Sequence, residues 1–204
     1  MAKTSGSANF FFKKVVREQG LTLPVGQDNN CVPDALTIIV SHETKKKLDG
    51  EDFRRRLPAD KIGVSVARAL EFIDTIGYEA KMLQRDEKAS KARLLLRQDG
   101  NYFVLCRMLQ SSDDDDDDDE RLYHAVAYLG DRSLLADNHP GSRPLKIDDH
   151  DRKQLSLIHS DDDDKRKVAR EHAKTLFSDF FHGISSEIRF IFQITRKTGT
   201  ICAV

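Results

Sequence analysis

Seven consecutive aspartates, Asp113 to Asp119, extended by Glu120, stand between two apolar runs of strand-like composition. Tyr102-Phe103-Val104-Leu105-Cys106-Arg107-Met108 precedes them, and Tyr123-His124-Ala125-Val126-Ala127-Tyr128-Leu129 follows. Adjacent like charges repel one another and bury no apolar area, so the acidic segment has no place in a core. It predicts an elongated, mobile hairpin loop, and the runs on either side of it become antiparallel neighbours. A further run, Ser133-Leu134-Leu135-Ala136-Asp137, lies just beyond Gly130-Asp131-Arg132, which reads as a tight hairpin. Alternation from Ser186 to Arg196 supplies a last strand. The second half of the chain is therefore expected to build an antiparallel sheet.

The first half reads as helical. Val32, Ala35, Leu36, Ile39 and Val40 recur at the spacing of one buried helix face. Pro33 falls in the first turn, where its missing N–H costs nothing. Asn29 or Asn30 can cap this helix, and Asp34 sits near its positive end. Cys31 is thereby placed at a helix N-terminus. Residues 8–19 suit a short amphipathic helix, and residues 21–30 a loop. Residues 43–61 read as a basic, exposed stretch with a short helix over 51–57. A helix over 65–76 buries Val66, Ala69, Leu70 and Ile73, with Gly77 as its C′ residue. A short strand over 78–83 and a helix over 87–96 follow. Residues 141–160 read as irregular, and 161–182 as a helix with Val168, His172, Leu176, Phe177, Phe180 and Phe181 on one side. Helices followed by a mainly antiparallel sheet make an α+β fold. The organisation expected is an N-terminal helix or tail over 1–20, one domain over 21–196, and a C-terminal tail over 197–204. The domain carries the acidic loop 111–120 and a low-complexity segment at 160–167.

Charge and cysteine usage narrow the function. With 33% charged residues and a formal net charge of −1, the chain lacks the basic field of a nucleic-acid binder. Three cysteines, Cys31, Cys106 and Cys202, are odd in number and far apart, which fits neither a disulfide framework nor a zinc knuckle. No stretch approaches the roughly 20 apolar residues of a membrane span. The expectation is an intracellular, cytoplasmic protein that binds neither nucleic acid nor membrane.

Thiol chemistry requires a thiolate, which a helix N-terminus and a nearby imidazolium both favour. Cys31 meets the first condition. His124 opens a strand after a polar loop and can serve as the base. Asp137 ends the neighbouring strand of the same hairpin, where it can fix the imidazole tautomer, with Asn138 as an alternative orienter. Each residue also has a plain structural reading. Cys31 can be a small buried hydrophobe, His124 a strand histidine satisfied by a neighbour, and Asp137 a turn residue. Cys106 and Cys202 read as structural. His124, Asp137 and His139 could instead hold zinc. The aspartate runs read as solvated tracts, and Lys45–Lys47 with Arg54–Arg56 as an exposed face.

These features resemble the papain-like cysteine peptidase superfamily, in which cysteine, histidine and aspartate or asparagine follow in that order. The segment Asp28-Asn29-Asn30-Cys31-Val32-Pro33-Asp34-Ala35-Leu36 resembles the ovarian-tumour deubiquitinase pattern Asp-Gly-Asn-Cys-x-x-x-Ala-Leu. Asn29 stands where that family has glycine, and Ala125 where it has an aromatic residue after the histidine. The stretch from His124 to Asp137 resembles the bacteriocin-processing double-glycine peptidases more closely. The resemblance spans residues 24–140. It implies a cofactor-free hydrolase of peptide or isopeptide bonds, acting on a peptide, a protein or a ubiquitin-like partner. It also implies an oxyanion role for Gln27, which lies four residues before Cys31 where the superfamily usually has five or six. The alternative is a papain-like module without activity that binds a peptide or protein partner.

Overall fold

A computed structural model describes residues 30–59, 64–83, 90–108, 123–136, 144–183 and 185–198 of the chain. Along it run α1 (Cys31–Thr44), α2 (Gly50–Arg56), α3 (Val66–Thr75), β1 (Tyr78–Met82) and α4 (Ser90–Leu95). Then come β2 (Asn101–Met108), β3 (Tyr123–Leu129), β4 (Leu134–Ala136), β5 (Leu145–Lys146), α5 (Asp149–Ser156), α6 (Asp163–Phe180) and β6 (Ser186–Arg196). The six strands lie in the order β1-β6-β2-β3-β4-β5, and every neighbouring pair is antiparallel. The fold is α+β, as the order of elements predicts. The acidic loop 111–120, the N-terminal helix and the residues from 199 onward lie outside the described residues.

Strand β2 is the centre. β3 and β6 flank it, and Tyr102 to Cys106 are buried whichever way their side chains point. Strand alternation therefore divides the interior into two layers. Phe103 and Leu105 join Ala125, Ala127, Leu129, Phe192 and Ile194 beneath α1, α2 and α3. Tyr102, Val104 and Cys106 join Val126, Tyr128 and Leu135 beneath α4, α5 and α6. The helical N-terminal part packs on one face of the sheet, and α4 to α6 cover the other. A sheet whose central strand is apolar on both sides requires a cover on each.

Two further readings change. Residues 144–160 are not irregular: they hold β5 and α5. Asp148 and Asp151 form a reciprocal capping box that starts α5, while Leu155 is its one buried side chain. A helix with a single apolar anchor leaves no periodicity to read, so its cap is the better signal. The acidic segment at 161–164 is more than a solvated tract. Asp162 caps α6 by accepting from the Asp164 and Lys165 amides, and Asp163 and Asp164 lie in the first turn. Carboxylates there meet the positive end of the helix. Ser65 caps α3, and Gly77 follows that helix with φ at 83°, as the sequence predicts for Gly77. In α6, Val168 is exposed and not on the buried side with Leu176, Phe177 and Phe180, as its spacing suggested.

Tyr128 ties the sheet to α4. Its buried hydroxyl shares its one proton between the carbonyls of Leu95, at 2.8 Å, and Arg97, at 3.0 Å, at the end of that helix. Burial pushes its pKa up to about 12, against partial relief from Arg152. A folded value above the unfolded one, about 10, means this contribution is complete below pH ~10 and lost as pH rises toward the folded value. Tyr128→Phe should lower unfolding free energy by about 1–2 kcal/mol at neutral pH. It should also remove the highest tyrosinate transition from an ultraviolet titration of the folded protein; an unchanged titration would contradict the assignment.

Candidate active site

Cys31 is the first residue of α1, and Asn30 occupies the cap position without a side-chain capping bond. Pro33 lies in the first turn, where its carbonyl accepts from Thr37 Oγ1 at 2.8 Å. All residues from Cys31 to His42 are buried, not the single face that the spacing predicts. The reason is position: α1 lies between the sheet and the pair α2 and α3.

Charged groups anchor both ends of α1. Arg54 of α2 donates to Asp34 through Nε at 2.9 Å and Nη2 at 2.7 Å, a two-pronged pair with the Asp34 side chain only 1% exposed. Burial alone would lower the Arg54 pKa, but the Asp34 carboxylate outweighs it and raises the value. Arg54 is thus not part of an exposed basic face, as the sequence suggested; Arg55 beside it is. At the other end His42 Nε2 lies 2.7 Å from Asp131 Oδ1, just beyond β3. Asn101 Nδ2, at the start of β2, donates to Glu43 at 2.9 Å. These contacts set the C-terminal end of α1 at the Leu129 end of β3. A 14-residue helix and a seven-residue strand each span about 20 Å. The N-terminus of α1 therefore lies toward the opposite end of the sheet, where His124 is the second residue of β3. Ala125 and Ala127 face the helix and keep it close.

Alternation decides what His124 faces. Ala125 points to α1, so His124 shares the other face with Val126 and Tyr128. Its ring meets Phe181, the residue capping α6, edge to face with centroids 6.2 Å apart. Directly across the ladder from it stands Cys106. Cys31 and His124 thus occupy one end of the sheet but opposite faces, and no hydrogen bond joins them. Both are nearly buried, at 8% and 7% exposure. Gln27, Asp137, Asn138 and His139 lie outside the described residues. Among the described residues no group of three or more His, Cys, Asp or Glu side chains could hold a metal ion. No helix among them is long and apolar enough to cross a membrane.

Sequence reasoning passed over the surroundings of His124. Lys91 Nζ donates to the Ser186 carbonyl at 2.5 Å and lies 5.1 Å from the Phe177 ring centroid. Burial lowers its pKa, against the opposing influence of Cys106 and Glu187. Cys106, read as merely structural, is the cross-strand neighbour of the candidate base. The shared parity of His124, Val126 and Tyr128 is visible in the sequence; the signal for its direction is the alanine pair, small enough to seat a helix on the other face.

No protein-family model matches the chain, and no curated protein does. Among solved structures it is similar to the peptidase domain of Streptococcus ComA, a bi-functional ABC transporter involved in a quorum sensing pathway. The alignment covers 86% of this chain and 97% of that one, at 13% identity and a TM-score of 0.49.

The Asp34–Arg54 pair holds the Cys31 end of α1. Arg54→Ala leaves a buried carboxylate without its main partner and should cost about 3–5 kcal/mol in urea unfolding. Replacing both residues by leucine should cost much less than that single change. Equal losses would show that the charge pair is not what anchors the helix.

Proposed function

We propose that the chain is a papain-like thiol hydrolase domain that cleaves peptide or isopeptide bonds. The observation that supports this most is that Cys31 starts α1 and His124 is the second residue of β3, both toward the same end of the sheet though on opposite faces. In this reading the Cys31 thiolate attacks the substrate carbonyl, forming a C–S bond as the C–N bond breaks. His124 takes the thiol proton and returns it to the leaving amine. Water then hydrolyses the thioester and restores the thiol. Asp137 or Asn138 orients the imidazole, and the Gln27 amide with the Cys31 N–H holds the oxyanion. A ubiquitin-like substrate rests on the resemblance around Cys31 alone.

A second reading is a module of the same kind without activity that binds a peptide or protein. The placement of His124 against Phe181, on the face opposite Cys31, favours it.

Electrophilic substrate mimics separate the two. The protein is treated with peptidyl acyloxymethyl ketones and with ubiquitin bearing a C-terminal vinyl ester, and adducts are located by mass spectrometry. A hydrolase should be labelled at Cys31, with His124→Ala slowing labelling by about 100-fold or more. Absence of a Cys31 adduct, or equal labelling in His124→Ala, leaves the binding module as the account.

A further inference from the structure

Strand β1 forms one edge of the sheet, and among the described residues it pairs with β6 alone. The ladder shows which of its backbone groups that pairing uses. The Lys197 N–H donates to the Gly77 carbonyl, and the Leu83 N–H to the Ile191 carbonyl, each at 3.0 Å. In an antiparallel pair a residue turns both of its backbone groups to one side, and that side alternates along the strand. Glu79 and Lys81, of the same parity as Gly77 and Leu83, therefore face β6 with their backbone groups. Ala80 and Met82 turn theirs outward. Met82 is 62% exposed, although it shares a face with Tyr78 and Ala80, which join the layer beneath α1 to α3. The Glu79 and Lys81 side chains are exposed on the other face. Their ladder partners on β6 are Thr195 and Gln193, so neither charge meets an opposite one across that strand. An edge with outward backbone groups is a template for a further strand.

We propose that this edge docks a second copy of the chain: two β1 strands pair antiparallel about a twofold axis at Ala80 and join the sheets of two molecules. Charge complementarity carries the choice of partner. In this register Glu79 falls opposite Lys81 of the second copy, and Lys81 opposite its Glu79. Those are non-hydrogen-bonded positions, where opposed side chains approach most closely, with Cα atoms about 4.5 Å apart. A slip of two residues in either direction sets Glu79 against Glu79 or Lys81 against Lys81, so charge fixes the register. The backbone agrees with it. Ala80 meets Ala80 of the second copy with its N–H and C=O turned outward, so the two exchange hydrogen bonds. The axis also keeps α1 to α3 of both copies on one face, and the exposed Met82 comes to lie beside Tyr78 of the second copy. A lone lysine on a strand edge repels a copy of itself; the glutamate two residues earlier converts that repulsion into attraction. Neither Cys31 nor His124 takes part, so the association is independent of the hydrolase reading.

Sedimentation velocity tests this on the full chain. The wild type is compared with Glu79→Lys, Lys81→Glu and the double variant carrying both changes, from micromolar to near-millimolar concentration. The wild type should dimerise with rising concentration, and less so as salt is raised. Each single variant sets like charges opposite one another at both positions and should weaken the dimer by about tenfold or more. The double variant restores opposite charges and should recover the wild-type dissociation constant. Mixing the two single variants should give a dimer with one copy of each. The substitutions lie at exposed positions, and circular dichroism checks that the fold is kept. Ala80→Pro supplies a variant independent of charge: it removes the outward N–H, leaves the β6 ladder its donors, and should abolish the dimer. A wild type that stays monomeric throughout overturns the proposal and leaves the edge to an extended peptide from another protein. A dimer that ignores the single substitutions, or that the double variant fails to restore, has its contact elsewhere and overturns it too.

Discussion

The burial of β2 on both of its faces is the constraint on which the rest of the structure depends. With β3 on one side and β6 on the other, its backbone groups are satisfied in the ladder and its side chains alternate between two dry layers. Phe103 and Leu105 demand a cover from the first half of the chain; Tyr102, Val104 and Cys106 demand one from the second. Helices α1 to α3 meet the first demand and α4 to α6 the second. Once β2 is placed, a residue's parity on β3 settles which layer it enters.

The polar contacts then position the helices within those layers. Apolar packing is non-directional and leaves α1 free to slide along β3. The Asp34–Arg54 pair at one end and the His42–Asp131 contact at the other remove that freedom. Desolvation makes such a pair a modest source of net stability and a large penalty when half of it is missing, so its main effect is on register. On the opposite face the Tyr128 hydroxyl does the same for the end of α4, where it reaches the carbonyls of Leu95 and Arg97. The candidate nucleophile is thus held by an ion pair three residues along its own helix, and the candidate base by an aromatic cluster from another layer.

Much of this arrangement can be read from residue order. The hairpin flanking the aspartate run, the helix that begins at Cys31, the Ser65 cap and the final strand all carry local signals of period or capping chemistry. The segment 144–160 does not, because α5 has one apolar anchor and relies on its capping box. Arg54 misleads for a related reason. Three consecutive arginines read as an exposed face, yet helix geometry turns one of them inward to a carboxylate 20 residues away. Cys106 misleads because a mid-strand cysteine looks inert until the register across the hairpin brings His124 opposite it.

By itself the sequence determined the α+β class, the helix start at Cys31, the strand that begins beside His124 and the alternation that sets His124 with Val126 and Tyr128. Those are local properties, written in spacing and in the backbone preferences of single residues. Only the tertiary structure decided that α1 lies on the alanine face of β3, that helices cover both sides of the sheet, and that the His124 ring rests on Phe181. Each of those depends on which surface a distant segment covers, and such contacts are chosen by the burial of the whole sheet and leave no trace in local periodicity.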